Sequence, residues 1–146
     1  MDQATPALRN LARRLLALEV NQTERLYQEM QAALRVFEKL RSYLFKMVGS
    51  AGFQALLARA VVLATAEVGW LKVVRVQDDT TLQGFQEAAQ QQPAKAVTLG
   101  STVLLAQLLG LLVTFIGEAL TLRLVQEVWP EAQVIDQEFK REGDIE

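Results

Sequence analysis

Between Lys95 and Glu118 the chain carries no charged residue. An uncharged run of about 22 residues is long enough to cross a bilayer, so it must be shielded from water by protein or by lipid. Along it, Thr98, Thr102, Ala106, Gly110 and Thr114 recur every four positions, which places small side chains on one face of a helix. Such a stripe lets another backbone approach closely in either setting. Gly110 stands mid-helix, where Gly costs roughly 1 kcal/mol relative to Ala, so its presence points to a close neighbour. The expected neighbour is the alanine-rich segment beginning at Ala51. On this reading Gly110→Leu is disruptive and Gly110→Ala is tolerated. Thr98, Ser101, Thr102, Gln107 and Thr114 dilute the apolar run, and no lopsided Lys/Arg flank accompanies it, which favours a protein interior over a membrane.

The rest of the chain also reads as helix. Thr5 and Pro6 have the chemistry of an N-cap and a first helical residue, and Leu8, Leu11, Leu15 and Leu18 follow at helical spacing. Asn21 or Thr23 can cap a second helix in which Leu26, Met30, Ala33, Phe37, Leu40, Leu44 and Met47 alternate at spacings of four and three. Gly49 is its expected stop. A third helix, from Ala51 to about Leu71, is apolar nearly all round and is expected to be central together with residues 96–117. Val73, Val74 and Val76, with Asp78 and Asp79 as turn residues, allow a small β-hairpin near residues 73–83. Otherwise the third helix frays there, and Thr80 or Thr81 caps a short helix through Ala89. The last long helix is expected to run on through Glu118, Arg123 and Glu127 until Pro130 ends it after Trp129, and Val134, Ile135 and Phe139 could dock one more short helix. The expected fold is all-α, a single domain over residues 1–146 with about four to five helices around an unusually apolar central pair.

Function is narrowed first by what is missing. The chain has no Cys and no His, which removes thiolate nucleophiles and the common zinc, haem and di-iron ligand sets, so no cofactor or metal is expected. Ser42, Ser50 and Ser101 have no His base, Asp78 and Asp79 are adjacent in a turn, and no glycine-rich phosphate loop occurs. Catalysis is therefore not expected. A net charge of −2 gives no electrostatic case for nucleic acid. Charge is nonetheless uneven: residues 1–50 hold eight Lys/Arg against five Asp/Glu, and residues 51–146 hold seven against twelve. Arg59 and Glu67, the charges inside the third helix, need partners or an exit to solvent, and Glu118 is a candidate partner for Arg59. Asp2, Arg9, Arg13 and Arg14 interrupt any secretory signal, and the lack of Cys fits a cytoplasmic protein.

The residues are 51% apolar and the mean hydropathy is +0.14, more than one small domain ordinarily hides. The expectation is a non-enzymatic protein–protein interaction module, a homo-oligomeric regulatory, adaptor or scaffold subunit, most simply a dimer. Its interface would use the heptad face at Phe37, Leu40 and Leu44, the close-packing position Gly110, or the helix ending at Trp129. The alternative is a membrane-active protein that inserts or spans through residues 96–117 and is membrane-associated.

Overall fold

The computed structural model describes residues 3–18, 25–77 and 79–130, the side chains of 25–27 excepted. Its architecture is all-α: α1 (Pro6–Leu18), α2 (Arg25–Glu67), a 3-10 turn (Gly69–Val73), β1 (Arg75–Val76), β2 (Leu82–Gln83), α3 (Phe85–Gln90), α4 (Ala94–Ile116) and α5 (Glu118–Val128). Of the two readings for residues 73–83, the small hairpin is present, antiparallel, with Arg75 opposite Gln83 and Val76 opposite Leu82.

Each element follows from local chemistry. Thr5 Oγ1 accepts from the Leu8 amide at 3.3 Å, the capping contact its position promised, and Pro6 opens the helix. Leu8, Leu11 and Leu15 are buried, while Leu18 at the end is exposed. In α2 the seam residues Met30, Ala33, Phe37, Leu40 and Leu44 are buried, and Met47, the last of the series, faces out. The expected cap at Asn21 or Thr23 lies outside the described residues. At Gly49 the backbone takes φ 77°, ψ 171°, a region open essentially only to glycine, and α2 kinks into two arms, residues 25–48 and 50–67.

Three expectations are corrected. The third helix does not reach Leu71: it ends at Glu67, Val68 is extended, and Gly69 opens a 3-10 turn, because a glycine beside a valine-rich stretch gives up the α conformation. The short helix α3 is preceded not by a threonine cap but by Gly84 at φ 87°, while Thr80 belongs to the hairpin turn. The last long helix is not continuous either. Gly117 adopts φ 93° and separates α4 from α5, which then ends at Val128 just before Trp129 and Pro130.

The core is built around α4. Its residues from Gly100 to Gly110 are all buried, with Val97 and Leu112 beyond them, and it packs on α1, α2 and α5. Trp70, from the 3-10 turn, lies against Gly100 and donates its indole N–H to the Ala96 carbonyl at 3.3 Å. The expected central pair is thus a single central helix. The second arm of α2 buries Phe53, Leu57, Ala60, Val61, Leu63 and Ala64, yet leaves its opposite face in solvent.

Candidate functional site

The residues singled out from sequence are all buried within this chain. Phe37, Leu40, Leu44 and Trp129 belong to the main core cluster, the last three wholly inaccessible. The heptad run correctly marked a helix–helix seam, but α2 packs on α4 of the same chain. A period of 3.5 reports that a face is covered and carries no label for whose helix covers it. These side chains are accordingly occupied within the one chain and leave no surface for a second copy.

Gly110 does lie at a close approach, but the neighbour is not the Ala51 helix. A Cβ at Gly110 would stand 2.2 Å from the carbonyl oxygen of Gln3 and 2.8 Å from its carbonyl carbon. The segment leading into α1 crosses α4 there. The Gln3 amide donates to Gln107 Oε1 at 3.0 Å, and Thr114 Oγ1 donates to Gln3 Oε1 at 3.1 Å. The expected tolerance of Gly110→Ala is corrected with it, since even one methyl meets backbone.

The other end of the small-residue stripe opens into a cavity. Its volume is about 520 Å³, and it is lined by Arg9 and Arg13 of α1 and by Ala94, Lys95, Thr98, Leu99, Thr102 and Val103 of α4. Arg9 is held from two sides: Nε donates to the Ala4 carbonyl at 2.8 Å, and Nη1 and Nη2 donate to Glu67 Oε2 and Oε1, both at 2.8 Å. This bidentate pair fastens α1 to the end of α2 and supplies the partner that Glu67 needs. Arg59 and Glu118, weighed as a pair, both reach solvent instead. Inside α4, Ser101 Oγ and Thr102 Oγ1 are buried without a hydrogen-bond partner among the described residues, and of the two only Thr102 lines the cavity.

A second surface was not anticipated. The outward face of the second arm carries Ala51, Ala55, Ala58, Val62 and Ala66, all exposed, with Val62 at 59% and with Arg59 as its charged residue. Beside it a shallower cavity of about 500 Å³ runs between that arm and the start of the hairpin, lined by Ala58, Val61, Val62, Thr65, Lys72, Val74, Arg75 and Val76. The signal was available in sequence. Positions 51, 55, 58, 62 and 66 share one face, 53, 57, 60 and 64 the opposite one, and both are apolar. Two helices, within Gln28–Glu67 and at Ala94–Ile116, are long and apolar enough to cross a membrane by length and composition. Among the described residues no three acidic side chains are grouped to hold a metal ion.

The hairpin turn also holds a carboxylate in place. Asp79 Oδ1 accepts from the Thr81 hydroxyl at 2.7 Å and from its amide at 3.1 Å. These bonds, the hydroxyl foremost, keep its pKa below the ordinary value of 3.8. Arg41 of α2 reaches the same turn and donates from Nε to Thr80 Oγ1 at 2.6 Å.

In comparisons with protein families, with curated proteins and with solved structures, the chain matches none.

Proposed function

We propose that this chain is a protein–protein association module, a homo-oligomeric regulatory, adaptor or scaffold subunit without a catalytic role, and that a second copy covers the outward face of the second arm of α2. The observation that carries this reading is the chemistry of that face. Between Lys46 and Glu67 only Arg59 is charged, and apart from it the exposed positions of this face are alanines around Val62. A solvated helix ordinarily turns charged residues outward, and obligate interfaces resemble a domain core cut in half. Small side chains let two copies of the helix approach closely about a two-fold axis, where each buried methylene contributes about 0.8 kcal/mol.

Light scattering on a sizing column tests this. The wild-type chain is expected to run as a dimer at high micromolar concentration and Val62→Glu as a monomer with an unchanged far-ultraviolet circular dichroism spectrum. A wild-type monomer at that concentration overturns the reading, as does a dimer that Val62→Glu leaves intact.

The membrane-active alternative has support of its own, but on a different helix from the one expected. Of the most apolar window, 67% is buried inside the chain for α4 and 33% for α2. A face already packed against protein is not available to lipid, so insertion would use the second arm of α2. Recovery of the chain with floated liposomes, lost in Val62→Glu, would mark this alternative; retention in the soluble fraction would remove it.

A further inference from the structure

We infer that the cavity between α1 and the start of α4 binds a small anionic amphiphile, a carboxylate carrying an apolar chain. Three independent features converge there. The first is Thr102, 4% exposed, a residue that lines the cavity and whose buried hydroxyl has no hydrogen-bond partner among the described residues. Helical threonines normally resolve this need by donating to the carbonyl four residues back. Thr65, Thr98, Thr114 and Thr121 all do so in this chain, at 2.7–3.2 Å. Thr102 does not, although it sits on the same helix as two of them. A buried hydroxyl left unsatisfied costs about 1–3 kcal/mol, which a ligand oxygen would recover.

The second feature is charge. Arg13 and Lys95 reach the cavity from opposite walls, and none of the residues lining it is acidic. The Arg9 charge is already met by Glu67, so the attraction for an anion comes from the other two. The first turn of α4 adds to it: it has no acidic residue and no side-chain cap, so the positive end of the helix dipole is uncompensated beside Lys95. The third feature is the apolar wall. Leu99, 55% exposed, and Val103 give a tail a surface to cover, and about 520 Å³ is within the roughly 300–1,000 Å³ typical of small-ligand sites. A headgroup between Arg13 and Lys95, with one oxygen accepting from Thr102 and the chain along Leu99, uses every part of the cavity.

Isothermal titration with octanoate tests the site on the full chain in the absence of vesicles. Saturable one-to-one binding is expected, with octyltrimethylammonium not binding and acetate at least about tenfold weaker, since it lacks the buried tail. Arg13→Glu with Lys95→Glu, both exposed positions, should abolish binding. Thr102→Val keeps the shape and removes the hydroxyl; it should weaken octanoate roughly five- to tenfold while leaving the melting temperature of the ligand-free chain equal or higher. Val62→Glu, on the other face, should bind octanoate as the wild type does, so failure of the association reading leaves this one standing. No heat with octanoate overturns the inference, and so does equal affinity in Thr102→Val or equal affinity for the cationic amphiphile. Binding of anionic vesicles by a chain that ignores free octanoate would assign the same cations to a lipid surface and also overturn it.

Discussion

The two arms of α2 meet at the kink of Gly49, bury comparable seams, and show different faces to water. On the first arm the inward residues Phe37, Leu40 and Leu44 are backed by outward Glu38, Lys39, Ser42 and Lys46. On the second arm Phe53, Leu57, Ala60 and Ala64 are backed by Ala51, Ala55, Ala58, Val62 and Ala66. Burial of the inward face accounts for the fold in both cases. Charge on the outward face is what solubility asks of a helix; the first arm supplies it in several places, the second at Arg59 alone before it ends at Glu67. The lesson is that a helix apolar on two faces need not be central. It can lie at the edge of its own core and keep a face for another partner.

If the arms are equal as core elements, truncating either seam should cost the same. Leu40→Ala and Leu57→Ala, each 0–1% exposed, are expected to lower stability by about 2–5 kcal/mol in urea unfolding. A value near zero for Leu57→Ala alone would break the comparison, because the second arm would then not be anchored in the core. Next in size comes the joint between them. At Gly49 no atom lies within 4 Å of a Cβ, so Gly49→Ala tests conformation alone and should cost about 1–3 kcal/mol through its positive φ. Gly110→Ala should cost a similar amount for the opposite reason, overpacking against the Gln3 backbone at ordinary helical angles. Thermal melts check both. An unchanged melting temperature with raised helicity in Gly49→Ala would mean the arms fuse into one straight helix.

The smallest effect sharpens what the first arm does with its polar face. Arg41 leaves that face to hold the hairpin turn, where Asp79 is ionised and hydrogen-bonded to Thr81. Because the folded pKa is lowered, the contribution of this carboxylate is fully present above the unfolded value near 3.8 and is lost as pH falls through the lower folded value. Amide exchange at Thr81 is expected to quicken over that range below pH 3.8 and to be pH-insensitive there in Asp79→Ala, after correction for intrinsic rates. Amides in the seams of both arms should show no such change.

Much of the fold was legible in the residues. The Thr5–Pro6 start, the seam from Met30 to Leu44, the break at Gly49, the valine-flanked hairpin and the end before Pro130 are local matters, set by caps, periodicity and backbone freedom, and all appear where the chemistry placed them. Gly117 was also legible in principle, as a glycine between an apolar helix and Glu118, but helical periodicity on both sides concealed it. The candidate sites were hardly legible at all. Phe37, Leu40, Leu44 and Trp129 announce a buried face without saying that α2 and α4 of one chain bury it. Gly110 announces a close approach without naming Gln3. The cavity depends on Arg13 and Lys95, far apart in sequence, standing across one seam, and on Thr102 missing a bond its neighbours make. Local interactions act over three or four residues and can be read from spacing, whereas which faces meet depends on long-range packing among several apolar surfaces of similar worth. The residues alone therefore determined that this chain is helical, where α1 begins, where α2 breaks, and that the seam from Met30 to Leu44 leaves water. Only the tertiary structure decided which neighbour covers each face, and which face is left uncovered.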